Sequence, residues 1–212
     1  MRPLHSIRLA ALVFSVVGAV VAQDSQWRQS PPLGIAVGDL VFRKGEGTWT
    51  PYFIGVSTRE KRFSHVGIVD SAKDGKVVIL HADADDSTGI GCVRKENWSG
   101  FFAEALEGAV YRYDGSAQTA VRFAEEGRTK LGTPFDRAFD MSTPDKLYCT
   151  EYVRGALNAA AGKELVGCTI VSGKPFVAID DIYHHDFTKI WDSETSAGNV
   201  AARSGLPENG SR

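Results

Sequence analysis

The sequence has little cysteine, no excess of positive charge, and no long apolar run after its N-terminal region. Its 212 residues include three cysteines, 24 Lys and Arg, and 26 Asp and Glu, so the formal charge is −2. So few cysteines exclude a disulfide-dense scaffold. A near-neutral chain without a basic run offers no footprint for phosphate backbones, so nucleic acid is not expected as a partner. A hydrophobic share of 43% and the absence of an internal repeat indicate one globular domain.

Residues 1–22 have the pattern of an export signal. Arg2 and Arg8 precede an apolar stretch, 9–22, that ends in small residues. A buried N-terminal helix is the alternative. The stretch is shorter than the ~20 residues that span a bilayer, so no transmembrane segment is expected in the mature chain. We therefore predict a periplasmic or secreted protein whose mature chain starts near Gln23.

The mature chain divides into three parts. Residues 23–37 are polar, contain two prolines, and predict an extended lead-in. Residues 192–212 have no aromatic side chain and many Ser, Gly and Asn residues, which predicts a disordered tail. The intervening residues 38–191 are enough for one core.

Strand patterns come early in this domain and helix patterns come late. This order predicts an α+β fold in which a small antiparallel sheet packs against helices. The predicted strands are 39–42, 66–69, 77–80, a segment around Val93, and 109–113, and the predicted helices are 116–131 and 148–161.

Cys149 differs from the other two cysteines in its position. Thr143-Pro144-Asp145 resembles a helix start, so Cys149 is expected within the first turns of the second helix. A helix N-terminus favours a thiolate, which predicts a lowered pKa for Cys149 and makes it a candidate nucleophile. A small buried hydrophobic residue is the alternative. Cys92 and Cys168 either form a disulfide or remain free thiols.

Two histidines flank a predicted hairpin. His65 precedes the strand 66–69, and His81 follows the strand 77–80. A two-residue loop, Asp74-Gly75, would send the two imidazoles to opposite faces of the hairpin. A three-residue loop that also includes Lys73 would place them on one face, at roughly 7–8 Å between Cα atoms. On one face they could serve Cys149 as a base and an orienting group.

No metal ion or organic cofactor is expected. Adjacent His184 and His185 do not face one point on a regular element, and no other ligand cluster stands out. Asp83, Asp85 and Asp86 lack the glycine spacing of a calcium loop and are interpreted as a solvated loop. If that loop borders the site, it would favour a cationic substrate group.

Several short motifs together resemble the NlpC-type papain-fold cysteine hydrolases. In those enzymes the cysteine helix precedes the histidine strands, whereas here it follows them. This order is similar to the circularly permuted YiiX/YebB-like branch. The motifs are Gly-Asp-Leu-Val-Phe at 38–42, Ser-His-Val-Gly-Ile at 64–68, Ile-Leu-His-Ala at 79–82, Leu-Gly-Thr-Pro-Phe-Asp at 131–136 and Tyr-Cys-Thr-Glu-Tyr at 148–152.

The resemblance implies a circularly permuted papain-like fold and a role for each matching residue. Cys149 corresponds to the nucleophile and His65 to the general base. His81 corresponds to the third polar residue, which orients the base but carries no fixed negative charge. Three acidic residues in the same motifs are interpreted as structural or supporting residues: Asp39, Asp136 and Glu151.

The resemblance also implies amide hydrolysis, with a peptide, a peptidoglycan fragment or an acyl-amide as substrate. Export makes peptidoglycan stem peptides the first substrate to test. Lecithin:retinol acyltransferase-like proteins share the permuted order, so a thiol-dependent acyltransferase or a lipid or thioester hydrolase is the alternative. Their acyl chains need an apolar groove, for which Trp49, Tyr52, Phe53 and Ile54 are candidate lining. A non-catalytic binding module is the third hypothesis.

Overall fold

The computed structural model describes residues 26–195 and contains eight strands and six named helices in that range. The strands are β1 (Leu40–Lys44), β2 (His65–Lys73), β3 (Lys76–Ala84), β4 (Gly91–Asn97), β5 (Glu107–Tyr113), β6 (Thr169–Val171), β7 (Lys174–Phe176) and β8 (Phe187–Asp192). The helices are α1 (Gln26–Gln29), α2 (Thr50–Val56), α3 (Trp98–Phe101), α4 (Ala117–Arg128), α5 (Cys149–Ala161) and α6 (Ile179–Tyr183).

Six strands form one antiparallel sheet in the order β4-β3-β2-β1-β5-β8, and β6 and β7 form a separate hairpin. Helices α4 and α5 pack against each other and against β2 and β3. The sheet and its helices confirm the predicted α+β class. The described part of the chain contains no helix with the length and hydropathy needed to cross a membrane.

Apolar side chains cover both faces of the sheet. In β1, Leu40 and Phe42 belong to the core beneath α5, whereas Val41 belongs to a second core around α3. Successive residues of a strand point to opposite faces, so a strand buried on both sides has a continuous apolar run. The second core includes Phe101, which contributes to the site described below.

Helix α5 begins at Cys149, not at the predicted start signature. Residues 143–145 form a turn, and Leu147 pairs with Phe135 in a short bridge, so the chain stays extended up to Tyr148. Gly162 ends the helix with a φ of 66°, in the left-handed region that glycine adopts at low cost. The sequence therefore placed Cys149 correctly at a helix start, but by the wrong signature.

The β2–β3 hairpin combines a tight turn with a β-bulge. Lys73 pairs with Lys76 across a two-residue turn, in which Asp74 and Gly75 both have positive φ, as a type I′ turn requires. The prediction that a three-residue loop aligns the histidines is therefore wrong. A register shift at Asp70 inserts one extra residue into β2. The part of β2 before Asp70 therefore has the register that places His65 and His81 on one face.

The described structure crosses both predicted domain boundaries. Within the predicted extended lead-in, α1 packs Trp27 on Phe102 and Trp191, at ring-centroid distances of 5.4 and 5.7 Å. Strand β8 continues to Asp192, the first residue of the predicted tail. The predicted export signal at 1–22 and the remainder of the tail, 196–212, lie outside the described residues.

Candidate active site

A cavity of about 440 Å³ lies beside the first residue of β2 and the first residue of α5. His65 and Cys149 both line it, so the structure brings two of the three predicted site residues to one cavity. Its aromatic lining is Trp49, Phe53 and Phe135, and its charged lining is Arg43, Arg94, Glu46, Asp83, Asp85, Asp86, Glu96 and Glu104.

Cys149 is the first residue of α5 and is only 2% exposed. Burial raises the pKa of the Cys149 thiol to about 12, and the nearby Asp83 carboxylate acts in the same direction. The backbone N–H groups of Thr150 and Val66 donate to the sulfur and lower the pKa, but they do not offset the burial. The expectation of a lowered thiol pKa is therefore wrong, because desolvation exceeds the effect of the helix N-terminus.

Cys149 and Val66, the residue that follows the predicted base, belong to the same core beneath α5. The two imidazoles instead pack on Phe101 of the second core, at 5.5 Å for His65 and 5.2 Å for His81. The cavity is lined by residues on the α5 side of the sheet, such as Phe53, and by residues on the α3 side, such as Gly100.

His65 and His81 are in direct contact. Nε2 of His65 lies 2.9 Å from Nδ1 of His81, and the two rings are nearly perpendicular. His65 is at the start of β2, beyond the bulge at Asp70, and His81 is in β3. The bulge therefore places on one face two side chains that the tight turn alone would separate.

The pKa of His65 is lowered well below its usual value. Burial is the main cause, and the guanidinium of Arg43 and the neighbouring His81 disfavour the cation further. His65 is therefore neutral at physiological pH and able to accept a proton. The Cys149 thiol and the His65 imidazole are therefore both neutral at rest.

Glu96 is a site residue that the sequence reasoning missed. Its Oε2 lies 3.1 Å from Nε2 of His81, although the contact is not aligned with the N–H direction. The bond to His81 is the main cause that lowers the pKa of Glu96, and the charge of Arg94 contributes. Residue 96 pairs with Ile79 in the β3–β4 ladder, diagonal to His81. The alternation of charged residues around Val93 is the one sequence feature that could have indicated Glu96.

Asp83 also lies near the imidazole pair, but it is held by two arginines. Its Oδ2 is 2.9 Å from Arg94, 3.6 Å from Arg43 and 3.9 Å from Nδ1 of His81. Donor atoms of His65, His81 and Asp83 lie within 4.8 Å of one another, a grouping that could hold a metal ion. Both imidazole nitrogens that face each other are already used in the 2.9 Å contact.

The remaining predicted residues have structural contacts. Asp39 accepts hydrogen bonds from the Ala36 backbone and from Arg112, and Asp136 accepts from the backbones of residues 138 and 140. Glu151 accepts the backbone N–H of Tyr148, which caps α5. These contacts fit the supporting roles assigned to the three acids.

All three cysteines are free thiols, with Cys92 half-buried and Cys168 exposed. His184 and His185 follow α6 and contact each other at a ring-centroid distance of 4.8 Å. Neither belongs to a group of three possible metal ligands among residues 26–195.

Comparison with known proteins gives two matches. A family model described as "Permuted papain-like amidase enzyme, YaeF/YiiX, C92 family" matches residues 34–195. The crystal structure titled as metalloprotein yiiX from Escherichia coli O157:H7 is similar in fold, with a TM-score of 0.60 and 17% sequence identity. The match covers 74% of this chain and 96% of that one. No curated protein matches the chain.

Proposed function

The chain belongs to the YaeF/YiiX (C92) family of permuted papain-like amidases, and on that premise we propose that it is an exported enzyme that cleaves amide bonds in peptide or peptidoglycan substrates, with Cys149 as nucleophile. One observation carries the proposal. Cys149, at the start of α5, and His65, at the start of β2, line the same cavity.

In this mechanism, Sγ of Cys149 attacks the substrate carbonyl carbon while His65 takes the thiol proton. Nε2 of His65 faces His81, so Nδ1 is the nitrogen left for this transfer. The C–N bond then breaks, the His65 cation gives its proton to the leaving amine, and an acyl thioester remains on Cys149. His65 next takes a proton from water, whose oxygen attacks the thioester. The C–S bond breaks, the carboxylic acid is released, and His65 returns the proton to the Cys149 sulfur.

The start of α5 supports the negative charge that develops during attack. Cys149 is the first helical residue, and the N–H groups of a first helical turn have no intrahelical acceptor. The backbone N–H of Cys149 is therefore one donor for the oxyanion of the tetrahedral intermediate.

Charge at the cavity favours a substrate with a free amino group. Six carboxylates and two guanidinium groups line it. Three of the carboxylates belong to the predicted acidic loop, at Asp83, Asp85 and Asp86. The aromatic wall supplies apolar surface for a neighbouring side chain. A peptidoglycan stem peptide combines amide bonds with free amino groups, and export would bring the enzyme to it.

The test is incubation of the purified protein with sacculi, muropeptides and acyl thioesters, with product masses as the readout. We expect two fragments whose masses sum to the substrate plus one water, and no fragments from the matched Cys149→Ala variant. Amide cleavage that survives Cys149→Ala would contradict the proposal. Turnover of acyl thioesters alone would support the acyl-transfer alternative.

A parallel reaction with a chelator tests a metal-dependent alternative, because the fold neighbour is titled a metalloprotein. We expect full activity in EDTA, since the proposed chemistry uses the thiol and the imidazole. Loss of activity in EDTA that added Zn²⁺ restores would contradict a mechanism based on Cys149 and His65 alone.

A further inference from the structure

His65, His81 and Glu96 form a series of contacts in which two imidazoles are followed by a carboxylate. Nε2 of His65 lies 2.9 Å from Nδ1 of His81. Nε2 of His81 lies 3.1 Å from Oε2 of Glu96 but off the N–H direction, so this second contact is electrostatic and not an aligned hydrogen bond. His81 is fully buried, so its Nε2 cannot turn to solvent. Glu96 remains partly accessible, with 24% of its side chain exposed.

An ionised carboxylate accepts hydrogen bonds and donates none, so it dictates where the protons of the chain reside. Facing Glu96, His81 carries its proton on Nε2 and leaves Nδ1 as an acceptor. Facing that acceptor, His65 carries its proton on Nε2 and leaves Nδ1 as the basic nitrogen. This is the tautomer that can take a proton from Cys149.

We propose that Glu96 is a positioning residue that sets the working tautomer of His65 through His81 and stabilises the imidazolium that forms during attack. The inference rests on the proposed function, because it assigns Glu96 a part in the same reaction. It also supplies the fixed negative charge that a histidine in the third position lacks.

Asp83 is the other carboxylate near the pair, and its geometry is poorer for this role. It lies 3.9 Å from Nδ1 of His81, the nitrogen that already contacts His65. Its Oδ2 is also bound by Arg94 at 2.9 Å. Glu96 faces the nitrogen on the far side of the ring, from a strand hydrogen-bonded to the one that carries His81.

The test compares Glu96→Ala, Glu96→Gln and the control Glu125→Gln. Glu125 is an exposed residue of α4 and does not line the cavity. Glutamine retains an acceptor oxygen, so Glu96→Gln should keep the tautomer and lose only the charge. Alanine removes the acceptor, which frees His81 to protonate Nδ1 and force the wrong tautomer on His65.

The first readout is the ¹H–¹⁵N long-range spectrum of the histidine rings, which distinguishes the two tautomers and needs no substrate. Wild type, Glu96→Gln and Glu125→Gln should all show His65 protonated on Nε2. Glu96→Ala should show a mixture. If Glu96→Ala gives the wild-type spectrum, the proposal is overturned.

The second readout is turnover of the substrate that the screen identifies. We expect kcat to fall about 10–100-fold in Glu96→Ala with little change in KM, as is typical for loss of a partner that orients a functional histidine. Glu96→Gln should recover most of that loss, and Glu125→Gln should behave as wild type. An equal loss of kcat in Glu125→Gln would overturn the proposal. If no substrate is cleaved, the proposed function fails while the spectra still decide the role of Glu96.

Discussion

At the scale of single residues, the site holds a neutral thiol and a neutral imidazole. Burial raises the pKa of Cys149 to about 12 and lowers that of His65, so a resting thiolate–imidazolium pair is disfavoured on both sides. In the proposed mechanism the proton therefore moves as the sulfur attacks, and the lone pair of His65 receives it. Hydrogen bonds from the Val66 and Thr150 backbones remain available to the sulfur as charge develops on it.

The two histidines should differ in the effect of their removal. His65→Ala removes the group that takes part in every proton transfer, so kcat/KM should fall as far as in Cys149→Ala. His81→Ala removes only an orienting group and should leave measurable activity, after a loss of up to ~10⁴-fold. His81→Glu should recover part of it. An active His65→Ala beside an inactive His81→Ala would make His81 the base.

Glu151 should make stability depend on pH. Burial raises its pKa from 4.5 to about 7, so between these values the folded state binds more protons than the unfolded state. The free energy of unfolding attributable to this residue therefore falls as pH rises from 4.5 through 7. Glu151→Gln should be more stable than wild type at pH 8 and equal to it at pH 4.5.

Urea denaturation at the two pH values measures this difference, with the exposed Glu125→Gln on α4 as control. Glutamine at 151 retains the acceptor for the Tyr148 backbone. A stability gain that is the same at both pH values would show that ionisation of Glu151 is not the cause.

At the scale of elements, the hairpin shows how far the sequence could predict the site. The motifs around His65, His81 and Cys149 identified the three residues because each lies in a short local pattern. The turn was predicted wrongly, and the bulge at Asp70 restored the alignment. A bulge leaves no signature in the alternation of apolar residues, so its position could not be inferred.

Glu96 and β8 depend on long-range pairing, which local patterns do not encode. The register of β4 against β3 brings Glu96 to His81, and no feature of β4 alone specifies that register. Strand β8 is largely exposed and adds to the edge at β5. Helices α4 and α5 were predicted from their apolar periodicity, because that periodicity is a property of the segment itself.

The side chain of Asp70 connects the bulge in β2 to α4 and β4. Its buried carboxylate contacts Arg128 of α4 at 2.5 Å and Lys95 of β4 at 2.8 Å. Asp70→Ala should lower the free energy of unfolding by about 1.5–3 kcal/mol, the usual range for hydrogen bonds to charged groups. Urea denaturation beside the exposed Asp114→Ala tests this, and equal losses in the two variants would contradict the account.

At the scale of the whole molecule, Arg62 joins the segment before β2 to the far edge of the sheet. It contacts Glu107 of β5 and Asp192 of β8, each at 2.6 Å. Asp192 is nearly buried, which raises its pKa, but its contacts with Arg62, Lys189 and the Glu194 backbone together lower that pKa below its usual value. The last strand therefore belongs to the folded domain, although the sequence placed Asp192 in a tail.

Asp192→Asn should lower the free energy of unfolding by about 1.5–3 kcal/mol, because the nearly buried Asp192 is bonded to Arg62. Glu194→Gln is the matched control. Glu194 contacts the same arginine at 3.4 Å, but its side chain is 65% exposed, so its loss should cost less than about 1 kcal/mol. Thermal and urea denaturation measure both. A larger effect from Glu194→Gln would contradict the account of Asp192 as the residue that ties β8 to the folded domain.

The central claim, that Cys149 is the nucleophile, is tested most directly by trapping its acyl intermediate. A reaction with the cleaved substrate is quenched in acid, digested and mapped by mass spectrometry. The account predicts the substrate acyl group on the peptide that contains Cys149 and on neither Cys92 nor Cys168. Cys149→Ala should carry none and release no product. An acyl group on another residue, or product from Cys149→Ala, would contradict the account.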